Sequence, residues 1–143
     1  MGADDEAWRV QRDLAITKHT EAFQAKRAAE ADQARRMVAD FAAQATERGL
    51  RTESLRARAY DGSGTYRTSV RGWYVHPDRS LAVGIDGSYY ILGVPASARA
   101  QLFGAEIRPH DPKLIIGEGA RDGESIALAE LLRRRLAGGD DWR

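Results

Sequence analysis

The stretch Tyr66-Arg67-Thr68-Ser69-Val70-Arg71-Gly72-Trp73-Tyr74-Val75 decides the fold. Its residues alternate with a period of two, so Tyr66, Thr68, Val70 and Tyr74 share one side of an extended segment. Arg67, Ser69, Arg71 and Trp73 share the other. Before it, the turn-forming Asp61-Gly62-Ser63-Gly64 separates a second alternating run, in which Leu55, Ala57 and Ala59 interleave with Arg56, Arg58 and Tyr60. After it, His76-Pro77-Asp78-Arg79 reverses the chain into Leu81, Val83 and Ile85, which alternate with Ala82 and Gly84. Asp86-Gly87 is a two-residue hairpin signal that asks for positive φ at both central positions. Ser88 to Val94 returns as a strand that Pro95 ends. The expectation is an antiparallel meander of about four to five strands.

Helices flank this meander. Asp5 to Arg48 lacks Pro and Gly and is rich in Ala, Glu, Gln and Arg. Ion pairs at i,i+4 are expected for Arg9–Asp13, Lys26–Glu30, Asp32–Arg36 and Arg36–Asp40. Ile16, Phe23, Ala34, Met37, Phe41 and Ala45 fall on one stripe, and Gly49 supplies a left-handed stop with Leu50 folding back. Such a helix would run about 65 Å, whereas a globule of this length spans about 35–40 Å. The chain therefore divides into an N-terminal helical extension, residues 1–33, and an α+β domain, residues 34–143. Ala96 to Phe103 reads as a short helix and Lys113 to Gly117 as a further strand. The last helix is expected to start at an Asp122 cap, run through Leu136, and bury Ile126, Ala129, Leu132 and Leu136. Helix, strands and helix in this order mean α+β: a long N-terminal helix, the meander, and a C-terminal helix on one sheet face.

Composition narrows the function classes. The chain has 143 residues and no cysteine, which removes disulfides, thiolate metal sites and a cysteine nucleophile. No apolar run reaches membrane length, and the acidic start Asp4-Asp5-Glu6 is unlike a secretory signal, so a cytoplasmic location is expected. Net charge is only +1, and all but three of the 22 basic residues are arginine. His19, His76 and His110 lack metal-ligand spacing. Ser63 lies between two strands rather than at a strand-to-helix elbow. Gly117 to Gly123 is glycine-rich and precedes a helix, but it lacks the phosphate-loop spacing and carries acidic residues, so it reads as a loop and cap. No enzyme and no cofactor is expected.

One segment is locally basic. Arg56, Arg58, Arg67 and Arg71, with Trp73 beside them, form a candidate binding face for nucleic acid. The plainer reading is the solvent side of a half-buried sheet. The expected role is a protein-interaction module that self-associates as a homodimer or binds another protein, because Ile16 and Phe23 have no evident partner within the domain. Nucleic-acid binding is the alternative, and a small-ligand pocket near Phe103 is a third. Trp73 shares its parity with arginines: either it lies on their side, stacked on an arginine or covered by a partner, or a bulge at Gly72 turns it into the core, and the bulge is expected.

The motifs Tyr60-Asp61-Gly62-Ser63-Gly64-Thr65-Tyr66, Gly72-Trp73-Tyr74, Ser80-Leu81-Ala82-Val83-Gly84, Asp86-Gly87 and Arg121-Asp122-Gly123-Glu124-Ser125 resemble a group of small uncharacterised actinobacterial proteins. The likeness spans roughly Ala34 to Leu136. It implies a source and no activity. In outline the arrangement is also similar to secretion-chaperone-like and YbaB-like folds, a similarity of architecture that carries no function.

Overall fold

A computed structural model of the chain describes residues 2–117 and 124–143. Helix α1 runs unbroken over Gly2–Glu47. Gly49 takes a positive φ of 67° and Leu50 donates its N–H to the Ala45 carbonyl at 2.9 Å, which ends the helix by a left-handed turn. Strands β1 (Glu53–Ala59), β2 (Thr65–Tyr74), β3 (Leu81–Gly84), β4 (Tyr89–Ile91) and β5 (Gly93–Val94) follow. Helix α2 spans Ala98–Phe103, β6 Ile115–Ile116, β7 Ile126–Ala127 and α3 Leu128–Gly138, before a 3-10 turn at Gly139–Asp141. The fold is α+β, as the alternation of periods indicates.

The strand order is β4-β3-β2-β1-β5. The first four strands are an antiparallel meander, but β5 lies parallel to β1, so the sheet is mixed. The two outermost strands, β4 and β5, are consecutive in the chain with only Leu92 between them. Leu92 donates its N–H to Ser80 O at 2.8 Å and accepts from the Arg58 N–H at 2.7 Å. One continuous segment thus pairs with β3 at its start and β1 at its end. The sheet therefore wraps round, with one segment joining its two edges.

Closure separates the two strand faces into two cores. Inside lie Leu55, Tyr74, Ala82, Tyr90 and Leu92, with Val70, Ile107 and Trp142 packed against them. A barrel this narrow needs small residues among large ones. At Gly72, paired with Gly84, a Cβ would fall 2.1 Å from the Val83 carbonyl oxygen. Outside, Trp73, Val75, Leu81, Val83 and Tyr89 pack under Val38, Phe41 and Ala45 of α1 and Leu128, Leu131 and Leu132 of α3.

This arrangement corrects the bulge expected at Gly72. The β2–β3 ladder is regular through Gly72↔Gly84, Trp73↔Val83 and Tyr74↔Ala82. Trp73 stays on the arginine side and is buried there, because helices cover that end of the face. Its ring meets Phe41 edge-on at 5.9 Å, and its Nε1–H donates to Leu50 O at 3.1 Å. The irregularity lies higher up, where Thr68, Ser69 and Val70 of β2 stand opposite the single Leu55 of β1. Side chains satisfy the backbone groups it frees. Thr68 Oγ1 donates to Leu55 O at 2.7 Å, and the Arg56 N–H donates to the Tyr74 hydroxyl at 2.9 Å.

Other expectations shift as well. In the hairpin only Gly87 takes positive φ, and the loop covers Ile85 to Ser88 rather than two residues. Helix α3 begins at Leu128, not near residue 122. Ile126 pairs with Ile116 in a two-stranded ribbon instead of starting the helix. Asp122 and most of the glycine-rich loop lie outside the described residues. The buried stripe of α3 is Leu128, Leu131, Leu132 and Arg135, while Ala129 is exposed and Leu136 is half-buried. Arg135 Nε donates to Tyr74 O at 2.7 Å and Nη1 to Gly139 O at 2.8 Å, with the guanidinium 4.6 Å from the Trp142 ring centre. Burial lowers its pKa, against the pull of Glu53 and Asp140.

None of the four i,i+4 ion pairs expected along α1 is formed. Arg35 instead pairs with Asp32 and, at 2.8 Å, with Asp111 of the loop before β6. Every residue from 2 to 30 is exposed, and burial sets in from Ala31 and Ala34. No described helix is long and apolar enough to cross a membrane.

Candidate functional site

The outer face of the barrel is covered only in part. On β1 the burial alternates, with Leu55, Ala57 and Ala59 inside and Ser54, Arg56 and Arg58 exposed outside. On β2, Arg67, Ser69 and Arg71 are exposed on the same outer side. The structure therefore brings together four of the five residues singled out in the sequence. The fifth, Trp73, is 1% exposed and belongs to the helix-covered half.

Register places Arg56 directly opposite Arg67, and Arg71 opposite Ser54. Like charges in facing positions repel, and the two side chains splay apart. Arg56 Nε approaches Thr65 Oγ1 at 3.4 Å, whereas Arg67 Nη2 donates to Leu102 O at 2.8 Å. Arg71 donates to Thr52 through Nε and Nη2 at 3.1 and 3.2 Å, and Arg58 Nη2 reaches Asp78 O at 3.5 Å. All these acceptors are neutral. None of the four guanidinium groups forms an ion pair among the described residues. The acidic side chain at the β1–β2 turn, Asp61, accepts from the Ser63 N–H at 2.9 Å, and its hydrogen bonds to Ser63 lower its pKa.

Tyr60 joins this face although the sequence reading did not single it out. Its N–H bonds Val94 O at 2.9 Å, continuing the β1–β5 ladder two residues past the Arg58–Leu92 bond, so Tyr60 points the same way as Arg58. The ring is 75% exposed and rests on Gly93, where a Cβ would sit 2.7 Å from Cε1. At the Arg67 end, Phe103 is also 75% exposed and follows the carbonyl that Arg67 holds. The recess expected near Phe103 is an open hollow of about 350 Å³ lined by Arg67, Thr68, Ser69, Phe103, Gly104 and Glu106, among others.

Among the described residues, His76, Asp78 and Ser80 form a grouping with hydrolase-like residue types. His76 Nδ1 lies 2.7 Å from Asp78 Oδ1, but Ser80 donates both its N–H, at 2.8 Å, and its hydroxyl, at 2.5 Å, to that same carboxylate. The serine proton is committed to the aspartate, and no base faces its oxygen. Burial raises the Asp78 carboxyl, and the bonds from Ser80 with the nearby imidazole outweigh it, leaving a lowered pKa. These are the contacts of a tight turn. Among the described residues no three His, Cys, Asp or Glu side chains gather as a metal site would require.

No family model, curated protein or solved structure matches this chain.

Proposed function

We propose that this chain is a non-enzymatic binding protein that holds a polyanion on the outer face of β1 and β2. The observation that carries the reading is the cross-strand pair Arg56–Arg67, flanked by Arg58 and Arg71, with no ion pair to any of the four among the described residues. Facing guanidinium groups weaken a ladder unless an anion lies between them, and their planar forks match phosphate oxygens. With a net charge of only +1, the attraction is local to this face rather than a property of the whole molecule. Fluorescence anisotropy of labelled oligonucleotides against salt tests it. Binding should weaken steeply as salt rises, and the slope should fall by about 0.7–0.9 for each arginine removed in Arg56→Ala and Arg67→Ala. No binding to duplex, single strand or heparin at low salt ends the proposal.

Self-association is a second reading, supported by α1. Its residues 2–30 are all exposed, with Trp8, Val10, Leu14, Ile16 and Phe23 each more than half exposed. Most helical stability in proteins comes from packing, and a second copy would supply it. Sedimentation velocity should show a dimer for the full chain and a monomer once residues 2–30 are deleted. A full-length monomer at the highest soluble concentration rules this reading out.

A further inference from the structure

The arginines at the centre of the uncovered face are bordered by aromatic rings. Tyr60 lies two positions beyond Arg58 on the same outer side, about 7 Å along the strand. The Cδ1–Cε1 edge of its ring lies against Gly93, where a side chain would collide with it, while 75% of the residue stays open to solvent. Beyond Arg67 stands Phe103, equally exposed, next to the carbonyl that the Arg67 guanidinium bonds at 2.8 Å. A single exposed aromatic residue is ordinary. Two that border a run of guanidinium groups with no ion pair among the described residues, one of them resting against a glycine, form a surface with phosphate clamps in the middle and stacking platforms at its ends.

We infer that the polyanion is single-stranded nucleic acid, with phosphates on Arg56, Arg58 and Arg67 and bases stacked on Tyr60 and Phe103. This rests on the polyanion reading above and adds the chemical class of the ligand. In a duplex the base faces are already stacked on one another, so a ring could gain nothing from them. In a free strand each base offers its π-face to a ring, without regard to sequence.

The decisive comparison uses a labelled thymidine oligomer, an abasic deoxyribose-phosphate oligomer of the same length, and a duplex, all followed by anisotropy. The full chain should bind the thymidine oligomer about 5- to 100-fold more tightly than the abasic one. Tyr60→Ala should remove most of that ratio while abasic binding and the salt slope stay unchanged, and Tyr60→Phe should keep it. Phe103→Ala should reduce the ratio further. Equal affinity for the two oligomers overturns the stacking inference and leaves the polyanion reading standing. So does a duplex preference insensitive to Tyr60→Ala. Absence of binding to all three overturns both.

Discussion

Arg71 and Trp73 lie two residues apart on one strand and one side of the sheet, yet one faces water and the other is 1% exposed. Around Trp73 the outer face of the barrel carries Val75, Leu81, Val83 and Tyr89 beneath α1 and α3. Around Arg71 it carries Arg56, Arg67 and Ser69, and the Arg71 side chain donates to Thr52. Alternation along a strand assigns a residue to a side. Whether that side is buried depends on how far a second layer of structure extends over it. Here the layer stops between two positions of the same parity.

The sharpest way to break this contrast is to truncate both residues. Trp73→Ala should cost about 3–5 kcal/mol in urea unfolding, through loss of the Phe41 edge contact and of burial. Arg71→Ala should stay within about 0.5 kcal/mol of the parent. Similar losses at the two sites would show that the uncovered half is structural as well. Arg135→Ala comes next. It leaves the carbonyls of Tyr74 and Gly139 without their donors and removes the cation from the Trp142 face, so a loss of about 2–4 kcal/mol is expected. Arg134→Ala, on the exposed side of the same helix, is the matched control and should be nearly neutral.

Gly72→Ala should destabilise by about 1–3 kcal/mol, because the new methyl would press on the Val83 carbonyl of the neighbouring strand. Gly62→Ala meets nothing within 4 Å and should be limited to the strain of its positive φ of 74°. A further expected effect is a pH dependence. Burial pushes the Tyr89 hydroxyl up to about 12 from its ordinary 10.0. A raised folded-state value means that the stabilisation is complete below pH 10 and is lost as pH climbs from 10 towards 12. In Tyr89→Phe, thermal unfolding followed across that window should decline less than in the parent.

Much of the architecture was legible because its causes are local. The period-two runs located β1 to β4, and Gly49 located the end of α1. The α3 boundary was missed because Ile126 fits a helical stripe as well as it fits a ribbon with Ile116, and only the partner strand separates the two. Nothing local distinguishes the buried Arg135 within the run Arg133-Arg134-Arg135. Its spacing from Leu128, Leu131 and Leu132 puts it on the buried stripe once the helix start is known. The arginines of the candidate site were found by parity. Parity also put Tyr60 on the side of Arg56 and Arg58, but nothing local marked it as part of the site, since its place there depends on Gly93, 33 positions away and brought beside it by the β1–β5 pairing.

By itself the sequence determined the class of each long element and the two sides of each strand, because those follow from backbone sterics and side-chain spacing within a few residues. It determined that Arg56 shares a side of its strand with Arg58, and Arg67 with Arg71; the pairing register put both pairs on one face. Tertiary structure alone decided that the sheet closes on itself at Leu92, which hydrogen-bonds Ser80 and Arg58 at once. It also decided that the helices cover Trp73 and leave the arginines open. Both outcomes depend on pairings between segments far apart in the chain, whose free energy resides in area buried between elements rather than in any local pattern.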